Sequence, residues 1–134
     1  MIALDSSAIL AILLQEREED PFERLIAGTS TLVGTSTLVE TRLVLEGHFP
    51  GNAESALRGF LAKRGLTIVA FDATMFEAAI DAFARFGRGR GHPAKLNFSD
   101  CLSYAVAKTH GVPLLFKGND FIHTDLVPAS LPAS

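Results

Sequence analysis

Ile2-Ala3-Leu4-Asp5-Ser6-Ser7-Ala8 is the stretch in which the chain first declares its architecture. Ile2-Ala3-Leu4 is a short apolar run, Asp5-Ser6-Ser7 is turn-forming, and the pattern from Ala8 to Leu14 returns to apolar residues at helical spacing. The reading is a strand, a tight turn, and a helix capped by Ser6 or Ser7 that frays in the acidic run before Pro21. The same unit recurs along the chain. Ser30 to Gly34 reads as a second strand, and Thr35 to Glu46 as a helix through Leu38, Val39, Leu43 and Val44, ended by Gly47. Leu66 to Phe71 is the best strand, followed by a helix over Ala73 to Phe86 whose stripe of Met75, Phe76, Ala79, Ile80 and Phe83 is expected in the core. Val112 to Phe116 is the fourth clear strand. Helices over Pro21 to Ala27 and over Ala53 to Lys63, the latter capped by Asn52 and stopped at Gly65, fill the intervals. Alternation of this kind predicts an α/β fold with a parallel sheet covered on both faces and ligands gathered at the carboxyl ends of the strands. The Pro/Ala/Ser tail after Val127 is expected to be loosely held.

Composition sets the class. The 134 residues suit a single domain over 1–134, and 48% hydrophobic with 20% charged residues is the balance of a globular chain. No apolar run approaches the ~18 residues of a membrane-spanning helix. The start has no basic leader, and the lone Cys101 has no internal disulfide partner, so the expected compartment is the reducing cytoplasm, with no membrane association. The net charge of −3 carries no global signature of nucleic-acid binding, but its distribution is uneven. Glu16, Glu18, Glu19, Asp20 and Glu23 stand against Arg17 alone, whereas Arg85, Arg88, Arg90, His92 and Lys95 form a run without an acid.

The chemistry centres on the stretch Asn97 to Lys108. It reads as an apolar helix capped by Ser99, with Asp100 in its first turn and Gly111 as its stop. Asp5 ends strand one, Glu40 lies in the first turn of the helix after strand two, and Asp120 follows the last strand. In a doubly wound fold these positions face one edge of the sheet. Four converging acids repel one another unless cations hold them, and hard oxygen ligands suit Mg²⁺ or Mn²⁺. Such a site can activate water for displacement at phosphorus. Each acid also has an ordinary role open to it. Thr37-Leu38-Val39-Glu40 matches a capping box, Asp5 is placed to cap a turn, Asp100 to serve a helix dipole, and Asp120 to form a turn after Gly118-Asn119.

With these residues in view, the chain resembles the PIN-domain ribonucleases, specifically the VapC toxins of type II toxin–antitoxin pairs, over nearly its whole length. The resemblance rests on Ile2 to Ala8, on Thr37 to Glu40, on Leu96-Asn97-Phe98-Ser99-Asp100-Cys101 with Tyr104 to Lys108, and on Leu114 to Phe121. It implies a three-layer α/β/α sandwich with a central, mainly parallel sheet and an Mg²⁺- or Mn²⁺-dependent endoribonuclease. It further implies a structured RNA substrate such as tRNA, a homodimer, and a small VapB-type antitoxin. Asp5, Glu40 and Asp100 match the family's acidic positions as catalytic metal ligands. The family often has an acid directly after the glycine of the Phe-Lys-Gly segment; Asn119 stands there, with Asp120 next, so the fourth ligand lies between them and Asp120 is the acid of the two. Ser7 matches a hydroxyl position of the first motif, and Asp125 is a further candidate near the site.

The remaining motifs weigh less. Arg88, Arg90, His92 and Lys95, on a Gly-rich loop leading to the Asp100 helix, are candidates for RNA phosphate contact or for a merely solvated loop. His92, His110 and His123 show no metal spacing, and Cys101 falls on an inward helix face without a base beside it. A phosphatase with an aspartate nucleophile requires a second acid two residues after Asp5, where Ser7 stands. The rival from another class is a phosphorylation-switch receiver built on Asp5, Asp72 and Lys117, and a third reading is a PIN-fold binding module without catalysis, made conceivable by Asn119.

Overall fold

Residue alternation in three short strands divides the molecule into layers. The computed structural model describes residues 1–130. Its sheet is built from β1 (Ile2–Leu4), β2 (Thr31–Gly34), β3 (Thr67–Val69) and β4 (Leu114–Leu115), all parallel, in the order β3-β2-β1-β4. Because successive side chains of a strand point to opposite faces, Ile2, Leu4, Val33 and Leu115 join one buried cluster while Ala3, Leu32 and Leu114 join the other.

The first cluster is roofed by α1 (Ser6–Leu13), α2 (Glu19–Ala27), α3 (Thr35–His48) and α4 (Ala53–Arg64), through Ile9, Ile12, Phe22, Leu45 and Phe60. The second is covered by α5 (Ala73–Phe86) and α6 (Phe98–His110), through Met75, Ala82, Phe86, Tyr104 and Val106. The expected α/β/α sandwich with a parallel sheet is therefore what forms. Among the described residues, no helix is long and apolar enough to cross a membrane.

Several local expectations are corrected. Leu66 to Phe71, the most strand-like sequence, supplies only the three-residue strand β3 at the edge of the described sheet, where Ile68 is half exposed. The α5 stripe splits: Met75 and Ala79 are buried, but Phe76, Ile80 and Phe83 are exposed, since α5 faces the sheet with a different edge that includes Ala82 and Phe86. Residues after Val127 are not loose throughout. Leu114 N–H donates to Val127 O, Ala129 N–H donates to Leu114 O, and Pro128 bridges β4 in parallel. The remainder of the tail, residues 131–134, lies outside the described residues.

The strand order also removes the receiver reading. That fold places strand three beside strand one, whereas here β2 separates them. Asp72 is spent as the N-cap of α5, accepting from Met75 N–H at 3.0 Å.

Candidate active site

The sheet edge at the carboxyl ends of β1, β2 and β4 collects the acids. Asp5 leaves β1 with its own N–H donated to Leu115 O of β4 at 3.0 Å. It then caps α1 itself, in place of Ser6 or Ser7: its Oδ2 accepts Ser7 N–H at 3.0 Å and Ser7 Oγ at 2.6 Å. Ser7 Oγ accepts in turn from Lys117 N–H at 2.9 Å, which fixes the loop after β4 to the first turn. Asp5 is buried at 4% exposure. Burial pushes its carboxyl up, against hydrogen bonds from Ser103 and Ser7, and the charge of Glu40 adds to the upward push.

Glu40 reaches the site from the second turn of α3. The helix begins at Thr35 with Gly34 as N-cap, so Thr37-Leu38-Val39-Glu40 is not a capping box. Glu40 instead accepts a short hydrogen bond from Ser6 Oγ. Gly34 lets α3 start close against α6: a Cβ there would stand 2.6 Å from Val106 Cγ2.

Asp100 is presented by the start of α6, whose N-cap is Asn97 rather than Ser99. Asn97 Oδ1 accepts Asp100 N–H at 2.8 Å, and Asp100 Oδ2 accepts Asn97 N–H at 3.0 Å, a reciprocal capping box. Ser99 only donates to Asn97 Oδ1. The Asp100 carboxyl is pushed up to about 6, by burial first and then by the charges of Asp5, Asp120 and Glu40, against the hydrogen bond from Asn97. Asp100 therefore senses all three other acids. Asp120, exposed, precedes the 3-10 turn Phe121–His123, and Asn119 beside it is exposed as well.

Among the described residues none of these four acids has an ion-pair partner; the cations that form ion pairs do so with other acids. Lys117 pairs with Glu16 and Glu18, and Arg64 with Glu23. Arg85 and Lys108 serve Asp125, which also accepts from Tyr104 Oη at 2.7 Å. Burial alone would raise the Asp125 carboxyl, but Lys108 and Tyr104 hydrogen bonds and the charges of Lys108 and Arg85 hold it down at about 2. Asp125 thus ties α5 and α6 to the C-terminal segment and stands apart from the acid group.

The donor set is oxygen only, which fits a hard divalent cation. Among the described residues no group of three or more His, Cys, Asp or Glu side chains is placed to hold a metal ion. Mg²⁺ keeps several waters and takes few direct protein ligands.

Three hydroxyls join the site that sequence placed only as a helix cap (Ser6), only in a capping box (Thr37) or not at all (Ser103): Ser6 Oγ donates to Glu40, and Thr37 Oγ1 lies 3.3 Å from Ser103 Oγ. Ser103 follows Asp100 by three residues on α6 and shares its face, the one signal available. Cys101 is buried packing, its thiol raised to about 11 by burial.

The basic loop is built, not merely solvated. Arg88 N–H donates to Leu96 O, Leu96 N–H donates to Phe86 O, and Ala94 and Leu96 are fully buried beneath it. His92 is occupied structurally: its Nδ1 accepts Ala94 N–H at 3.1 Å and its ring meets Phe86 edge-on. Arg90 lies over the Phe83 ring, while Arg88 and Lys95 line a shallow hollow with Gly89, Gly91 and Pro93.

Comparison with known proteins agrees with this architecture. The PIN domain family model matches residues 2–126. Ribonuclease VapC30 of Mycobacterium tuberculosis is 41% identical over 134 residues, covering 98% of this chain and 100% of the relative. Ribonuclease VapC of Mycolicibacterium smegmatis is 41% identical over 128 residues, covering 93% and 97%. Among solved structures, Mycobacterium tuberculosis VapC20, described as a sarcin-ricin loop cleaving toxin, superposes with a TM-score of 0.76 at 20% identity, covering 95% of this chain and 97% of that one. VapBC2 from Rickettsia felis, bound to a DNA fragment from its promoter, gives 0.76 at 16% identity with full coverage of both chains. On the full-length sequence match and the family model together, the chain belongs to the PIN domain family, among the VapC ribonucleases.

Proposed function

We propose that the chain is the endoribonuclease toxin of a toxin–antitoxin pair, hydrolysing RNA phosphodiesters with Mg²⁺ or Mn²⁺ held by Asp5, Glu40, Asp100 and Asp120. The observation that carries the reading is the Asp100 carboxyl, raised to about 6 by burial and by three further acids, with no ion-pair partner for any of the four among the described residues. Concentrated negative charge without a protein cation is the arrangement a divalent ion stabilises. When bound, that ion neutralises the carboxylates, lowers the pKa of a water and stabilises charge developing on the phosphate.

The chain's own residues supply position. Asp5 is fixed by Ser7 and by β4, and Glu40 by Ser6. Asp100 Oδ2 is held by Asn97, which leaves Oδ1 without a hydrogen bond among the described residues and available to a ligand. Asp120, exposed at the rim, completes the group, while Asn119 is a neutral neighbour. Arg88 and Lys95 are placed to meet RNA phosphates on the approach to α6.

A VapB-type antitoxin is the expected inhibitor, supported by the fold shared with toxin–antitoxin complexes. Homodimerisation is supported by the apolar groove of about 390 Å³ between α5 and α6, where Phe76, Ile80, Phe83 and Phe98 are exposed.

The test is single-turnover RNA cleavage by Asp5→Asn and Asp100→Asn. Each is expected to lose at least ~100-fold in rate, in the range of a removed electrostatic catalytic group, while retaining the wild-type circular dichroism spectrum. Wild-type rates in both variants would overturn the assignment.

A further inference from the structure

Among the described residues no large apolar side chain is more exposed than Phe98, at 79%. Its place is fixed. Phe98 is the first residue of α6 and is held inside the reciprocal capping box of Asn97 and Asp100. Packing does not account for the ring, since the buried residues of the helix begin at Cys101 and continue through Tyr104 and Ala105.

The surroundings of the ring say what it meets. Phe98 follows Lys95 by three residues and lines one groove with Phe83. Over the Phe83 ring lies the Arg90 guanidinium, 5.0 Å from the ring centre. Arg88, Arg90 and Lys95 are all exposed, and the sequence from Phe83 to Ser99 contains no acid. Backbone hydrogen bonds from Arg88 N–H to Leu96 O and from Leu96 N–H to Phe86 O pin this loop to the end of α5, so cations and rings share one frame. Exposed cations beside exposed aromatic faces match the two halves of a nucleotide, because phosphates take charge and bases take flat apolar surface. A second copy seated by a two-fold axis over this end of the groove would bring the same three cations with it. Phe76 and Ile80, one to two turns before Phe83 on α5, leave the rest of the groove to such a copy.

We infer that Phe98 is a base-stacking residue for the RNA: an unpaired nucleobase lies on its ring while neighbouring phosphates meet Arg88 and Lys95. The inference rests on the RNA reading of the site. Phe98 and Asp100 share the first turn of α6, but residues two apart do not face the same way. The stacked base therefore belongs to a nucleotide beside the one that is cut. It has to be unpaired, since the bases of an A-form duplex are stacked on one another and offer no free face.

The experiment is filter binding of a random-sequence single-stranded RNA, and of a blunt RNA duplex, to the full chain freed of antitoxin, in EDTA. Phe98→Leu and Phe98→Ala are expected to weaken single-strand binding about 5- to 100-fold, the loss of one stacked base. Both leave duplex binding and the salt dependence unchanged, because no phosphate contact is lost. Phe98→Trp preserves wild-type affinity. A ring this exposed can be removed without unfolding the chain, and the melting temperature verifies it. Phe98→Leu keeps an apolar contact but has no ring, so it separates stacking from contact with a second copy. Wild-type single-strand affinity in Phe98→Leu, whether or not Phe98→Ala loses a dimer in sedimentation, overturns the inference, as do equal losses on single strand and duplex. Binding that the Phe98 variants leave intact and that Arg88→Ala with Lys95→Ala weakens removes only the role of Phe98. Absence of binding by the wild-type chain to either RNA removes the RNA reading itself.

Discussion

The carboxyl of Asp100 connects stability to the site most directly. A carboxyl whose pKa is higher in the folded chain than in the unfolded one binds its proton more tightly when folded. Its ionisation therefore costs stability above about pH 6, and the cost is relieved as the pH falls through about 6 toward the ordinary carboxylate value. Burial shifts Asp5 in the same direction. Asp125 has the opposite sign, and its contribution is lost only as the pH falls from about 4 toward about 2. The metal-free chain should accordingly melt higher at about pH 5.5 than at about pH 7.5, and Asp100→Asn should flatten that slope. At about pH 7.5 the variant should melt roughly 3 °C above wild type, corresponding to about 1 kcal/mol after allowance for the solvent exposure of Asp100. Scanning calorimetry in EDTA decides it; a variant that melts lower contradicts the uncompensated-charge account. At this scale Asp5 and Asp100 stood out because each sits beside a strand end or helix start, whereas Glu40 lies a turn inside α3. The meetings of Ser6 with Glu40 and of Ser103 with Thr37 were not legible, because the partners lie 34 and 66 residues apart, and no local pattern encodes such a meeting.

Helix starts carry the site, and they show why element identity was easier to read than element boundaries. Periodicity located α5 and α6, but Ser99 and Asn97 are both good caps, and the backbone geometry at Asn97 chose between them. The start of α3 at Thr35 was read correctly, and Thr37-Leu38-Val39-Glu40, which carries the residue pattern of a capping box, therefore lies inside the helix rather than at its cap. The α5 stripe had the right spacing and still left Phe76 and Ile80 outside, since periodicity defines a face without saying what lies opposite. Gly34 supplies the prediction at this scale. Gly34→Ala places a Cβ 2.6 Å from Val106 Cγ2 and should destabilise the chain by about 1–3 kcal/mol through overpacking. Chemical denaturation would show a lowered midpoint at unchanged slope; an unchanged midpoint would mean that α3 and α6 are not held at this separation.

On the scale of the whole molecule, the parallel order β3-β2-β1-β4 brings Asp5, Glu40, Asp100 and Asp120 from distant parts of the chain to one edge. Strand–helix alternation made that convergence readable; the strand order that excludes a receiver was not, because pairing between β2 and β3 depends on crossover geometry rather than on either strand's residues. The uneven charge is also a property of the whole. Glu16, Glu18 and Glu23 are neutralised internally by Lys117 and Arg64, leaving Arg88 and Lys95 as exposed cations. Arg88→Ala with Lys95→Ala should therefore weaken RNA binding several-fold at low salt and reduce its salt dependence, as fewer counterions are released. Filter binding across a salt series checks this, and an unchanged slope would show that the loop does not touch phosphate. The claim on which these rest is that the acid edge works through a divalent ion. Its direct test is the RNA cleavage rate of EDTA-treated chain, freed of antitoxin, as Mg²⁺ or Mn²⁺ is added back. The account predicts no cleavage in EDTA and a saturable return with added ion that Asp5→Asn abolishes; full cleavage in EDTA would contradict it.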